Sequence, residues 1–557
     1  MVCIQPIVRK ISAPLLAALL CVSSFGQKPR FLADDPLQRV PEVAVPGKPA
    51  PQRIDELYDF AYYSAKYRTP PPSPSLGINS IGEVPDSAWY TNRHATHRMS
   101  REELKRGGRS GGPPVAPFTV IAAKTEGVSP GFRMEDSLHR LFFVKVDPPA
   151  NPEMATAADV IGALFFYALG YNVPENYIVN ASPEAFHLSK KASITTASGK
   201  KYSMTEEDLH RIIKAVSKTR QGQIRVMASL ATSGKIMGPF RYEGVRPDDP
   251  NDIIPHQQRR DLRGLEVFCA WLNHTDAKSL NSMDTLQGSG KDAHFRHFLL
   301  DFGAAFGSDS DLAKDPRHGR EFFMPTEKEQ LRQAYTFGLS TPRWERVSYP
   351  HRLKAVGNFT SDAFEPKEWH SNYPNPAFLA MLPGDAFWAA KTVMAFRDED
   401  VRAIVEEGQF TDPAVTEYIT RTLIERRDKI VRAWLSAELP VDHLRIVDDQ
   451  LVFDDLVANR SDTSKSFYRI HWFRWNNQTG QEEEAGSSAS RRLPSNLSSI
   501  AEAGYIGCTL SDASRSELTA TAYFRKTATG WLLVGLDRKA SLLERNPSVG
   551  ILGEAVQ

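Results

Sequence analysis

The residue types and spacings that point most directly to chemistry in this chain are His274, Asp276, Lys278 and Asn281, followed by Asp301-Phe302-Gly303. An Asp stands five residues before an Asn, in a loop opened by His, and a second Asp begins a short Phe-Gly turn. Phosphoryl transfer asks a protein for this kind of set. It needs positioning and charge neutralisation more than covalent chemistry. Each short string has a bland reading as well. Asp-Phe-Gly alone is a common strand-end turn, and Asp276 and Asn281 alone are good loop-capping residues.

The elements that must position these residues are legible around them. Phe118 to Ala123 reads as a strand, Gly127 to Phe132 as a turn, and Leu141 to Val146, rich in aromatic and β-branched residues, as a second strand carrying Lys145. A Lys inside so apolar a strand is costly unless paired. Asn151-Pro152-Glu153 opens a helix, with Asn as its N-cap and Pro at its first position. Met154, Ala157, Ile161, Leu164, Phe165 and Ala168 give it an apolar face, and Gly170 ends it. Either Glu153, in its first turn, or Asp159, further along, is placed to pair with Lys145. Ile224 to Leu230 is a further strand. Gln257 to Leu272 is a helix with Leu262, Leu265, Phe268, Cys269 and Leu272 on one side, and the His274 loop follows it directly. Gln287 to Gly290 turns into a strand, Phe295 to Leu300, that ends at Asp301.

Spacing and element order together resemble the catalytic centre of the protein-kinase fold. The resemblance covers roughly residues 117–440 and implies two lobes: a small, mostly β lobe at about 117–240 and a helical lobe at about 255–440. It implies that Asp276 orients the proton of an attacking hydroxyl and that Lys278 reaches the transferred phosphoryl group. It also implies that Asn281 and Asp301 hold Mg²⁺ or Mn²⁺. Lys145 would grip the phosphates of ATP, held by Glu153, and Gly127 and Gly131 would let backbone approach them. Three departures separate the chain from typical protein kinases. It lacks Ala-Pro-Glu after Gly303, a full Gly-x-Gly-x-x-Gly, and a Val-Ala-Ile-Lys context for Lys145. The likeness therefore lies with atypical members of the superfamily, the HipA-like, CotH-like and Fam20-like secretory-pathway kinases. The expected fold class is α+β, two-lobed and kinase-like, with a Pro/Gly-rich arm at 27–116 and a small β domain at 441–557.

The rest of the sequence bounds this reading. At 557 residues, 41% hydrophobic and 24% charged, the chain is an ordinary globular one of several domains, and its net charge of +1 gives no reason to expect nucleic acid. Arg9 and Lys10, an apolar run from Ile11 to Val22 and small residues up to Gly26 read as a signal peptide cut near Gln27, so export is expected. No later segment is long and apolar enough for a transmembrane helix. Cys269 and Cys508 read as two buried free thiols. Within the arm, Arg53 to Lys66 reads as a helix packed on the body, and Trp89 and Tyr90 as anchors that dock on it. Residues 183–220 read as a polar insertion with a short helix at Glu206 to Ser217. The 320–440 region reads as helical, with a long helix capped at Thr411-Asp412-Pro413. The last domain reads as strands at 444–453, 467–475, 505–510, 518–526 and 531–538, with a polar loop at 477–500. His94 and His97 with Arg93 and Arg98, and Arg259, Arg260 and Arg263, read as solvated surface. Asp248 to Asp252 reads as a capped turn rather than a calcium site.

Three functions compete on these readings. The first is an exported, metal-dependent phosphotransferase moving phosphate from ATP to a hydroxyl on a protein or small molecule. The second is a non-catalytic kinase-like scaffold of the cell envelope. The third is an unrelated exported α+β protein. A scaffold has no need of Lys145, Asp276, Asn281 and Asp301 together, which favours the first.

Overall fold

The computed structural model describes residues 28–66, 73–124, 131–195, 200–320, 327–457, 468–488, 490–513 and 515–539. The expected signal peptide and Gly127 lie outside them. The described chain is mixed α/β, with eleven α-helices and four sheets. Its arm carries α1 (Glu56–Lys66) and α2 (Arg101–Arg106). Next come β1 (Phe118–Lys124), β2 (Gly131–Glu135), β3 (Leu141–Val146), α3 (Met154–Leu169), β4 (Asn176–Ala181), β5 (Phe186–Thr195), β6 (Lys201–Ser203), α4 (Glu206–Ala215) and β7 (Ile224–Leu230). These seven strands form one sheet in the order β4-β7-β3-β2-β1-β5-β6. All neighbours run antiparallel except β1 and β5. The 183–220 stretch is thus more than an insertion with a helix: β5 and β6 extend the sheet, and Leu209 of α4 joins its core.

Strand period decides which way Lys145 points. Phe142, Val144 and Val146 are buried on one face of β3 and pack with β2, β7 and α4. Lys145 therefore stands on the other face, where α3 lies. Every residue of α3 except Tyr167 is buried, because a helix built of Ala, Gly and large apolar residues has no solvent face to offer. Gly162 sits where a Cβ would come within 2.5 Å of the Phe302 Cβ, so the close approach of α3 to the Asp301 turn requires glycine there.

The start of α3 differs from the expectation. Asn151 does not cap it and Pro152 is not its first residue. Instead Asp147, at the end of β3, accepts hydrogen bonds from the Thr156 amide at 2.9 Å and the Thr156 hydroxyl at 2.6 Å. That carboxylate satisfies a first-turn N–H, so the helix begins at Met154, after Glu153 in the left-handed region at φ 65°.

The chain continues through β8 (Lys235–Ile236), α5 (Arg260–Leu272), β9 (Ser282–Gln287), β10 (His294–Leu299), α6 (Glu327–Tyr335), α7 (Pro376–Leu379), α8 (Pro383–Met394), α9 (Asp398–Glu406) and α10 (Pro413–Trp434). Leu262, Leu265, Phe268, Cys269 and Leu272 of α5 enter one apolar core with α3, α8 and α10, as their spacing predicts. The last part holds β11 (Val441–Val447), β12 (Gln450–Asp455), β13 (Tyr468–Trp475), β14 (Glu482–Ser488), α11 (Ser495–Ser498), β15 (Tyr505–Asp512), β16 (Arg515–Thr527) and β17 (Gly530–Lys539). Its sheet runs β14-β13-β15-β16-β17, over a core of its own. The expected strand at 444–453 is a hairpin turned at Asp448 and Asp449, both at positive φ. The expected polar loop contains β14 and α11.

The arm binds the body along its length. Trp89 stacks on His297 with ring centroids 3.6 Å apart, and Tyr90 packs edge-on against Tyr171 and Trp388. Phe31 packs against Tyr523 of β16. Of the two basic clusters expected at the surface, His97 and Arg98 are exposed as expected, whereas Arg93, His94 and Arg263 are used in this anchoring. His94 is buried 3.3 Å from Asp400, and Arg93 donates to the Tyr167 and Tyr171 carbonyls at the end of α3. Arg263 is fully buried, donating to the Ser73 carbonyl and the Ser73 hydroxyl of the arm and to Asp385. The arm's backbone carbonyls stand where solvent was expected. The Asp248–Asp252 turn is capped as read: Asp252 accepts from the Arg246 amide at 2.6 Å, and Asn251 accepts from the Val43 and Ala44 amides.

Candidate functional site

Lys145, Asp276, Asn281 and Asp301 meet where β3, α3, the loop after α5 and the end of β10 converge. Helix α5 ends at Asn273, in the left-handed region at φ 52°, and the His274 amide bonds back to the Cys269 carbonyl at 2.9 Å. That stop directs the chain into the 274–281 loop. A backbone bond from the Leu300 amide to the Asn281 carbonyl, 2.9 Å, ties the end of this loop to the residue before Asp301.

Lys145 Nζ lies 2.9 Å from Asp159 Oδ2 and 2.5 Å from Asp301 Oδ1. Asp159 also accepts from the Phe302 amide at 2.8 Å. One ammonium thus joins β3, α3 and the Asp-Phe-Gly turn. Burial alone would lower the Lys145 pKa, but the two carboxylates outweigh it and hold the value above its ordinary one. Burial raises the Asp159 carboxyl against the pull of Lys145, with the like charge of Asp301 adding to the rise. For Asp301 burial pushes upward too, yet the Lys145 ammonium prevails and its carboxyl sits below the usual range. Asp301 itself is in the left-handed region at φ 58°.

In the loop, Asn281 Nδ2 donates to the Asp276 carbonyl and to Asp276 Oδ2, both at 2.8 Å. Lys278 Nζ is 3.3 Å from Asp276 Oδ1 and 2.7 Å from Glu56 Oε1 of α1. Burial raises the Asp276 carboxyl, against the lowering effect of Lys278 and with the like charge of Asp301 adding to it. Its proton affinity is therefore shifted toward that of a useful base. His274 is buried, packed near Phe166 and Phe302, and burial together with Lys314 pushes its pKa down to about 3. It is a neutral packing group, as its apolar neighbours dictate.

One expectation, that for Glu153, is corrected. Glu153 does not hold Lys145: its carboxylate accepts from the Thr411 amide at 2.9 Å and from the Thr411 hydroxyl. With α3 starting at Met154, Glu153 falls outside the helix, and Asp159 reaches the lysine. Gly131 faces Lys145 across the β2–β3 ladder, and a Cβ there would meet the Val144 carbonyl oxygen at 2.8 Å. Sheet packing alone thus accounts for its glycine. Gly127 lies outside the described residues.

Two further residues escaped the sequence reading. Lys314 is fully buried, its ammonium donating to the Thr275 hydroxyl and the Ala304 carbonyl, both at 2.6 Å. It fastens the 274–281 loop to the segment after Asp301. Glu56 comes from the arm, far off in sequence. Neither carries a local signal, whereas a lone acid inside so apolar a helix did mark Asp159.

The described residues contain no cluster of three or more His, Cys, Asp or Glu able to hold a metal ion by themselves. The oxygens of Asp301 and Asn281 are hard donors of the kind a divalent cation takes. Asp301 offers a carboxylate, and no hydrogen bond among the described residues uses the Asn281 amide oxygen. No helix of the described residues is long and apolar enough to cross a membrane. No protein-family model matches the chain, and no curated protein matches it in sequence.

Proposed function

We propose that this chain is an exported, metal-dependent phosphotransferase of the atypical kinase-like kind, with the two-lobed arrangement of that superfamily. It moves phosphate from ATP to a hydroxyl on a protein or small molecule. The observation that carries the reading is the Lys145 ammonium, bridging Asp159 and Asp301 beside a loop in which Asp276 and Asn281 are already joined. Also supporting it is the chain order, in which a mainly β part bearing Lys145 precedes a mainly helical part bearing the loop.

In this reading the residues divide the work. Lys145 binds phosphate oxygens and exchanges its Asp301 contact for them, while Asp159 keeps it in place. Asp301 and Asn281 would hold Mg²⁺ or Mn²⁺, which neutralises phosphate charge when bound. Asp276 orients the acceptor hydroxyl and takes its proton. Lys278 meets the negative charge of the transferred group.

The test is thermal unfolding of the full chain with and without ATP and Mn²⁺. A ligand that binds only the folded state raises its stability, by about 2.7 kcal/mol at a hundredfold excess over Kd. The expected result is a rise in Tm that disappears in Asp301→Ala. Absence of any shift with every nucleotide overturns the phosphotransferase reading and favours the non-catalytic scaffold.

A further inference from the structure

We propose that α1 is an autoinhibitory strap: docked, it closes the 276–281 loop to the acceptor and sets the Glu56 carboxylate on Lys278, in the place of the transferred phosphoryl group. The proposal rests on the phosphotransferase reading for what is inhibited. The docking and release of α1 are properties of the fold alone.

Lys145 and Asp301 mark the nucleotide side of the loop in that reading, and α1 stands over Lys278. Glu56 Oε1 is 2.7 Å from Lys278 Nζ. The same ammonium lies 4.9 Å from the centre of the Tyr373 ring, which Phe60 of α1 meets edge-on at 5.5 Å. Between helix and loop is a cavity of about 40 Å³, lined by Phe60 and Tyr63 on one side and by Lys278 and Leu280 on the other. It has room for a few waters and for no acceptor side chain or sugar. An acceptor that reaches Lys278 and Asp276 by this side therefore requires α1 to leave. With α1 docked, Lys278 already serves two carboxylates, Glu56 and, at 3.3 Å, Asp276. A phosphoryl group has to displace Glu56 to gain that ammonium.

The chain around α1 is built to hold a strap at both ends. Ahead of it, the Gln52 amide donates to the Met237 carbonyl at 2.9 Å, and Gly238 lies so close to the Gln52 carbonyl that it admits no Cβ. Behind it, the Leu76 amide donates to the Gln258 carbonyl at 2.7 Å, and the Leu76 carbonyl accepts from the Arg260 amide at 3.1 Å. Both ends are thus fixed by backbone bonds. Between them α1 meets the body through side chains. Glu56 pairs with Lys278, Asp59 with Arg241 at 2.7 Å and Lys66 with Glu243 at 2.5 Å, while Phe60 and Tyr63 turn inward. Each ion pair keeps at least one partly exposed member and is weak by itself. A helix of 11 residues has little stability of its own once lifted off the body. The strap can open while both anchors stay in place.

The experiment uses the full chain. Amide hydrogen exchange across residues 57–66, and transfer of labelled phosphate from ATP with Mn²⁺ to dephosphorylated casein, are measured for the unmodified chain, Glu56→Gln and Phe60→Ala. Each variant's Tm is recorded as a check on folding. Glu56→Gln keeps the shape of the side chain, and Phe60→Ala leaves the ion pairs of α1 in place. Exchange in α1 is expected to quicken about threefold in Glu56→Gln, the worth of one partly exposed ion pair. In Phe60→Ala it quickens about tenfold, the worth of one aromatic pair. Exchange in the α5 and α10 core stays as it was. Transfer to casein rises in both variants. ATP with Mn²⁺ quickens α1 exchange in the unmodified chain and not in Glu56→Gln, a response that a merely packed helix does not give. The proposal is overturned by unchanged α1 exchange in both folded variants, by α1 indifferent to a nucleotide that binds, or by loosened α1 with no gain in transfer. The thermal shift with ATP and Mn²⁺ tells the two readings apart. No shift in any of the proteins sinks the phosphotransferase and autoinhibition with it, whereas a shift with unaltered α1 exchange sinks the strap alone.

Discussion

The Lys145 ammonium lies 2.9 Å from the Asp159 carboxylate, and this pair decides which residues of the site act together. Asp159 is buried in α3, Lys145 is on the face of β3 turned toward that helix, and Asp301 approaches the same ammonium from the end of β10. Two carboxylates around one lysine leave an excess of negative charge that a divalent cation or a displaced contact relieves. The arrangement is stable as found because each carboxylate has further donors, the Phe302 amide for Asp159 among them.

Removing the cation should therefore cost more than removing the pair. Lys145→Met leaves the buried Asp159 without its cation, and because Lys145 is a quarter exposed the cost falls below the about 3–5 kcal/mol of breaking a fully buried pair. The double variant Lys145→Met with Asp159→Asn should recover part of that loss. Midpoints of urea unfolding for the two variants check it, and a double variant no more stable than the single one refutes the pairing.

Nucleotide binding should separate the two acids that the sequence left as rivals. Asp159→Asn weakens the ATP and Mn²⁺ stabilisation, because Lys145 loses the group that aims it. Glu153→Gln leaves it unchanged, because that side chain is engaged with Thr411. Thermal shift titrations on both variants give the comparison.

Why one acid was legible and the other misleading is a matter of helix start. Asn151-Pro152-Glu153 has the composition of a helix opening, but Asp147, before it in sequence, reaches the Thr156 amide and moves the first turn forward. Local spacing sufficed for the 274–281 loop and the Asp301 turn, since both follow directly from the ends of α5 and β10. It failed where a segment's partner is remote. Strand β14 reads Glu-Glu-Glu-Ala-Gly-Ser-Ser, an edge strand with no apolar alternation to announce it. The β11–β12 turn uses Asp448-Asp449 instead of the Gly-bearing pairs that mark such hairpins. The arm's Pro and Gly residues foretold little regular structure, which is correct for most of it. They carried no information on burial, so Arg263 and His94 read as surface although arm segments cover the one and anchor through the other.

Trp89 should be the arm's strongest single anchor. It is buried, stacked on His297, edge-on to Phe240, and lies under the Arg259 guanidinium at 4.8 Å. Trp89→Ala should cost about 3–5 kcal/mol and expose residues 73–100 to limited proteolysis before the rest of the chain unfolds. Intact resistance of that segment at a lowered Tm would show instead that the arm is held mainly elsewhere.

Lys314 gives a pH dependence of unusual sign for a lysine. Full burial lowers its pKa to about 8, against about 10.4 in an unfolded chain. Between those values the unfolded chain holds a proton that the folded chain has released, so this residue makes folding more favourable as pH rises, by at most about 1.4 kcal/mol per pH unit. Below pH 8 both states are protonated and the contribution is lost. In Lys314→Met that slope vanishes, while Lys145 and Lys278, whose pKa values lie above the ordinary one, behave alike in both proteins. Unfolding free energies of the two proteins from pH 7 to 10 should therefore diverge in favour of the lysine form above pH 8. Parallel curves would mean that the ammonium stays charged, held by the Thr275 hydroxyl and Ala304 carbonyl.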